Sequence, residues 1–367
     1  MEEPVNFRDS EFDYARWLRL HGFDAETFIY YRNWKKASVD LSFLSSVDRT
    51  LIELKRAKQQ WLQTYARVGL NGQSAAVAVA MTLGDKQLIS KEVKDDYSIS
   101  GASHVLALSG LHLGIIYAIF LFGFNLCKGI PYLNLLVRYH LSDLFVLLLI
   151  WLYALLVDFS PSVVRSATMI TVYSVVGLLN RDKFSLNTLA FTAIVLLVVR
   201  PQNLWDVGFQ MSFVAVLSIV LFVPLLYGLF SPKLLQRHWL LRWVWGLATV
   251  SVAAQLGTAP LVAFYFGRFS CYFLLSNFIV IPCATAILYA AVLLLVFFFI
   301  PQVQLLVGKA LLFVVGSMNA ALHWVAHLQG ASIEGLHPNV LQVLLWYVFL
   351  FCVWYLFSFF SKRTNLE

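Results

Sequence analysis

Residues Phe269 to Ile300 read FSCYFLLSNFIVIPCATAILYAAVLLLVFFFI, thirty-two positions without one charged side chain. A helix needs only about 20 apolar residues to cross the hydrocarbon core of a bilayer, so this stretch places at least part of the chain in lipid. The rest agrees. Of 367 residues, 60% are apolar and 13% charged, against roughly 25% charged in soluble domains, which excludes a soluble globular protein. Charge is also unevenly placed: residues 1–100 hold 14 Lys/Arg and 14 Asp/Glu, leaving 13 and 6 of the totals of 27 and 20 for residues 101–367, hence the net +7.

The apolar runs are continuous and rich in Leu, Val and Phe. They lack the ten-residue in/out alternation of a transmembrane barrel, so backbone polar groups must be satisfied within helices. The expected fold is all-α: a polytopic helical membrane protein with a short water-facing segment ahead of it. About nine spans are expected, at Ser103–Leu126, Asp143–Asp158, Val163–Asn180, Leu186–Val199, Gly208–Phe230, Trp243–Phe266, Cys271–Ile300, Leu305–His327 and Val340–Phe360. Pro260 and Pro282 should break or kink the sixth and seventh, giving broken or re-entrant segments.

Residues 1–67 form the polar lead-in, with an amphipathic surface helix over Thr50–Arg67, followed by a membrane domain over 68–361 and a tail over 362–367. Leu70–Leu83 is apolar but too short to cross, which suggests a half-buried or interfacial helix. The acidic N-terminus has neither the basic nor the apolar region of a secretory signal. Cys127, Cys271, Cys283 and Cys352 are scattered and indicate no disulfide framework or zinc site.

With nine spans, Lys128, Arg138, Arg181, Lys183, Lys233, Arg237, Arg242, Lys309, Lys362 and Arg363 fall on one side, and Arg200 and Arg268 on the other. The positive-inside bias makes the first side cytoplasmic and places the N-terminal region outside.

Polar groups at membrane depth need a reason, because a central Arg, Lys or Asp costs about 2.5–3.5 kcal/mol on insertion scales. In Gly101–Gly114 (GASHVLALSGLHLG), a continuous helix would put His104, Leu108 and His112 on one face, with Ser109 three before His112. Gly110 and Gly114 form a small-xxx-small pair suited to close helix packing. Asp158 and Arg165 flank a Pro turn that they could pair across. Asp206 is placed to cap the next helix, a role that leaves Gln210 unexplained. Gln255 lies in a Gln-Leu-Gly-Thr-Ala-Pro run and Asn277 precedes Pro282, combinations that can open backbone carbonyls into a cavity. His323 and His327 have the i, i+4 spacing of a metal pair, but no carboxylate or third ligand lies nearby in sequence, so neither a metal site nor a cofactor is expected. No Walker A, HExxH or GxSxG motif supports energy coupling or hydrolysis.

These residues fall in ordered blocks that resemble the ComEC family of bacterial competence proteins. Gly101-Ala-Ser-His104-Val-Leu-Ala-Leu-Ser109-Gly-Leu-His112-Leu-Gly114 is similar to G-x-x-H-L-L-A-I-S-G-L-H-V-G. Ala80–Asp85 resembles A-L-x-L-G-D, Val164–Ile170 resembles L-R-A/S-x-x-M, and Asp206–Phe213 matches D-x-G-F-Q-L-S-F. Ala254–Pro260 and Asn277–Pro282 resemble further blocks. The lead-in resembles only the end of the family's OB-like domain, and there is no HxHxDH motif of a metallo-β-lactamase-like domain.

The resemblance implies a channel in the bacterial cytoplasmic (inner) membrane that takes up single-stranded DNA during natural transformation. Its implied partners are the strand, the lipid bilayer and other DNA-uptake proteins, a separate motor and a nuclease among them. His104, Ser109, His112, Arg165, Gln210 and Gln255 then line the path, while Asp158, Asp206 and Asn277 orient them. An enzyme is not expected, but two alternatives stay open: an intramembrane hydrolase or transferase built on Ser109 and His112, and a transporter for lipid or a small solute, or an assembly scaffold.

Overall fold

A computed structural model of the chain describes residues 45–126, 141–178 and 186–364, with scattered positions between 14 and 30. Most of the expected lead-in therefore lies outside the described residues, as do Cys127, Lys128, Arg138, Arg181 and Lys183. The chain divides into two compact units, Met1–Leu54 and Lys55–Glu367.

The helices over residues 45–364 are α1 (Ser46–Arg67), α2 (Gly72–Leu83), α3 (Lys91–Ile99), α4 (Ser103–Leu106), α5 (Gly110–Leu126), α6 (Leu141–Leu156), α7 (Pro161–Leu178), α8 (Leu186–Val199), α9 (Val207–Tyr227), α10 (Pro232–Arg237), α11 (Trp239–Phe266), α12 (Phe273–Val296), α13 (Pro301–Ala326) and α14 (Val340–Thr364). All but the first turns of α1 belong to the second unit. A 3-10 turn, Pro201–Trp205, precedes α9. Strands β1 (Arg268–Ser270) and β2 (Ser332–Glu334) pair antiparallel. Among the described residues, α9, α11, α12, α13 and the Val340–Phe359 part of α14 are long and apolar enough to cross a membrane. Their outward faces carry large apolar side chains in the open, Phe313 and Phe349 among them, as lipid-facing surfaces do. The protein is an all-α, multi-pass membrane protein. The other four expected spans are shorter as described, at 17, 16, 18 and 14 residues.

Three readings of the sequence need correction. The expected first span is not one helix: after α4 the chain extends at Ala107 (φ −95°, ψ 137°) and restarts at Gly110. Conversely, α11 runs unbroken through Pro260 and α12 through Pro282. Pro260 has no N–H to give the Leu256 carbonyl four residues back. Trp346 Nε1 of α14 donates to that carbonyl at 3.2 Å, and Tyr347 Oη donates to the neighbouring Gly257 carbonyl at 2.9 Å. A neighbouring helix thus supplies the donor that the proline removed, and a second one beside it. Finally, α2 is not interfacial. Ala76 through Leu83 are buried one after another between α12 and α13, as a helix apolar on all faces should be.

Small residues set the tightest contact between α9 and α11. A methyl added at Gly257 of α11 would stand 2.7 Å from Ser218 Cβ of α9, and Ser218 Oγ donates to the Ala253 carbonyl at 2.6 Å.

Candidate functional site

The break between α4 and α5 creates the site. Ser109 caps α5: its carbonyl accepts from the Leu113 N–H, and its own N–H donates 3.3 Å to Nδ1 of His112. Ser109 Oγ lies 2.9 Å from the same nitrogen. His112 occupies the place that Glu or Gln takes in a capping box, three residues after the cap, where a side chain reaches back to the cap N–H. Because Nδ1 accepts, the ring proton belongs on Nε2, which is buried without a partner. His112 is 1% exposed, whereas His104 has an exposed surface and contacts the Gly101 carbonyl at 3.2 Å. The two rings do not share a helical face, as a continuous helix would have required.

Glycines bring the surrounding blocks close. Gly84, left-handed at φ +77° after α2, faces Leu108, which stands 2.7 Å from where a Cβ would be. Gly101, at φ +82°, sits almost as tightly on Ser270. Thr82 at the end of α2 accepts from Tyr65 Oη at 3.0 Å, and its carbonyl accepts from Tyr153 Oη at 2.9 Å. The Ala80–Asp85 block is thereby anchored to Tyr65 and Tyr153 and touches the break at Leu108.

From Gly110 the contacts lead to α7, since a Cβ there would stand 3.1 Å from Ser166 Oγ. The adjacent Arg165, 8% exposed, turns toward α9: Nη1 is 3.6 Å from Asp206 Oδ1. Asp206 Oδ1 also accepts the Phe209 N–H at 2.7 Å, capping α9. Gly208 leaves room for the pair, since a methyl there would stand 3.0 Å from both Arg165 Nη2 and Asp206 Oδ1. Gln210, one turn on, donates to the Leu204 carbonyl at 2.9 Å and accepts from Tyr265 Oη of α11 at 2.7 Å. The start of α9 therefore meets the buried Arg165 guanidinium of α7, and the start of α5 touches α7 at the neighbouring Ser166.

Other expectations fall elsewhere. Asp158 does not pair with Arg165; it binds Lys58 Nζ at 2.9 Å. Asp158 and Phe159 both adopt left-handed backbone, at φ 56° and 48°. Gln255 is half-buried mid-way along α11, about 15 Å from Tyr265 along the helix at 1.5 Å per residue, and no hydrogen bond joins it to the cluster. Asn277 has a buried, unpartnered Oδ1 on α12. Gly114 is not a packing glycine: an added methyl there meets nothing within 4 Å.

Gly114 instead opens into a cavity of about 420 Å³ between α5, α7, α8 and α9. Its wall is almost wholly apolar, formed by Met169, Ile170 and Val216 among others, with Tyr117, Tyr173, Thr188 and Thr192 the polar residues along it. Its lining begins two residues after His112 on α5 and four after Arg165 on α7.

A second cluster was hidden from sequence reasoning. Asp96 of α3 reaches the end of α13, where Oδ2 lies 2.9 Å from His323 Nδ1 and Oδ1 lies 4.0 Å from His327 Nδ1. The carboxylate sought near the histidine pair comes from far upstream in the chain.

The Competence protein family matches the chain over residues 81–360. The chain is 31% identical to ComE operon protein 3 of Bacillus subtilis (strain 168) over 214 residues, 58% of this chain and 25% of that protein. It is 24% identical to Recombination protein 2 of Haemophilus influenzae (strain ATCC 51907 / DSM 11121 / KW20 / Rd) over 285 residues, 76% of this chain and 35% of that protein. The matched stretches thus span well under half of these relatives. No solved structure matches the chain.

Proposed function

The chain belongs to the Competence protein family, and on that footing we propose that it forms the membrane path by which a single DNA strand crosses the cytoplasmic membrane during natural transformation. One observation carries this reading. The scarce polar residues Ser109 and His112 of α5, Arg165 of α7, and Asp206 and Gln210 of α9 sit shortly before the stretches of those three helices that line the cavity.

The chemistry suits a polyanion. Helix N-termini carry a partial positive charge, and here the start of α9 lies beside a buried guanidinium. Asp206 neutralises part of that charge, so the site attracts phosphate without trapping it, and strands must move on to be conducted. Beyond it, Tyr117 and Tyr173 offer aromatic faces on which bases can stack. With the expected topology the cluster faces outward, where a strand arrives. His104 and Ser109 lie on the same approach. Gln255 and Asn277 lie deeper, on α11 and α12, and are assigned to the path beyond the cavity.

Arg165→Ala and His112→Ala variants that reach the membrane in normal amount should deliver less labelled DNA to the cytoplasm; normal delivery by both would refute the assignment. The Ser109–His112 contact of 2.9 Å also fits a nucleophile and its base. That reading is the weaker, because no carboxylate orients His112 from Nε2. Labelling of Ser109 by a serine-reactive phosphonate would favour it.

A further inference from the structure

The geometry points to a divalent transition-metal site formed by Asp96, His323 and His327. Their ligand atoms all lie within 4.8 Å of one another. Metal–nitrogen and metal–oxygen bonds of 2.0–2.2 Å at a tetrahedral ion put ligand atoms about 3.3 Å apart, and the two imidazoles approach the two oxygens of the one carboxylate at 2.9 Å and 4.0 Å, either side of that value. His323 stands in the last turn of α13 and His327 at its C-cap, four residues on, with ring centroids 4.1 Å from each other. Two imidazoles and one carboxylate select zinc and its first-row neighbours over magnesium or calcium, which prefer all-oxygen shells.

The supporting framework is already rigid. Tyr97, next to Asp96, donates its hydroxyl to Asn319 Oδ1 at 2.7 Å, one turn before His323. This bond fixes α3 on α13 and presents the Asp96 carboxylate, whose side chain is 13% exposed, to the two rings. The His323 and His327 side chains are 52% and 63% exposed, leaving the ion open to water for its fourth position. His327 Nδ1 now contacts the His323 carbonyl at 2.8 Å; a turn of that exposed ring exchanges the carbonyl for the metal. A bound ion would staple α3 to the end of α13, and α3 leads directly into the Gly101–Ser109 segment. The site does not depend on the DNA-path reading.

The competing description is an Asp–His hydrogen bond at a helix C-terminus, where imidazoles are favoured without any metal. Equilibrium dialysis of the full chain in detergent against Zn²⁺, followed by elemental analysis, separates the two. One ion per chain is expected in the wild type. His327→Ala and Asp96→Asn should each weaken binding by at least the roughly 10–100-fold that even outer-shell changes produce. Co²⁺ should give the visible absorption of a four-coordinate site, lost in the same variants. Melting in metal-free buffer checks that His327→Ala is folded, and the exposed ring makes an unchanged midpoint the expectation. No zinc on the wild type, or equal zinc on both variants, overturns the site.

Discussion

Arg165 and Asp206 meet at the oxygen that starts a helix: the guanidinium lies 3.6 Å from the same Oδ1 that accepts the Phe209 N–H. One carboxylate therefore both caps α9 and compensates a buried cation. Asp206→Ala removes both roles and leaves Arg165 buried and unpaired, whereas Arg165→Met leaves a capped, partly exposed carboxylate. Asp206→Ala should destabilise the protein by about 2–4 kcal/mol, and Arg165→Met by clearly less. Thermal unfolding in detergent, with the double variant to close the cycle, measures the difference. Losses that simply add in the double variant would mean that the pair is not coupled.

Pro260 and Trp346 form a second testable relationship. Trp346→Phe strands the Leu256 carbonyl and should cost about 1 kcal/mol. Pro260→Ala restores an N–H to that carbonyl, so in this background the same Trp346→Phe change should have little effect. Additive losses in the double variant would show that α14 docks on α11 for other reasons.

Two glycines that look alike in sequence should behave oppositely. Gly257→Ala forces a methyl against Ser218 Cβ at 2.7 Å and should destabilise by about 1–3 kcal/mol, with partial rescue by Ser218→Gly. Gly114→Leu projects into the cavity, so stability should hold while DNA delivery falls. A stable Gly114→Leu variant with unchanged delivery would remove the cavity from the path.

The capping geometry gives a conservative substitution at the break. His112→Gln keeps an acceptor able to reach the Ser109 N–H and should preserve folding better than His112→Leu, by about 1 kcal/mol. Should Gln and Leu unfold alike, His112 would not be acting as the cap's partner.

Membrane character was legible from Phe269–Ile300 alone, and the convergence of Arg165, Asp206 and Gln210 lies within blocks that the sequence singled out. The features that sequence did not reveal depended on local backbone or distant partners. The break at Ala107–Ser109 carried a signal, Ser-x-x-His in place of Ser-x-x-Glu, but apolar periodicity masked it. At positions 260 and 282 the sequence allowed either a break or a continuous kinked helix, and the helices continue; a lone chain cannot show that Trp346 supplies the missing donor at the first of them. The burial of α2 follows from its alanines only once α12 and α13 are present to surround it. Asp96 could not be paired with His323 by spacing at all.

The most direct test of the central claim is site-specific photocrosslinking during uptake. A benzophenone side chain is placed at Tyr117 or Tyr173 in the cavity, or at Phe313 or Phe349 on the lipid-facing surface, and cells are irradiated while labelled DNA is in transit. The account predicts strand adducts at the two cavity positions and none at the two outer ones. Adducts at neither cavity position, in cells that still transform, would contradict it.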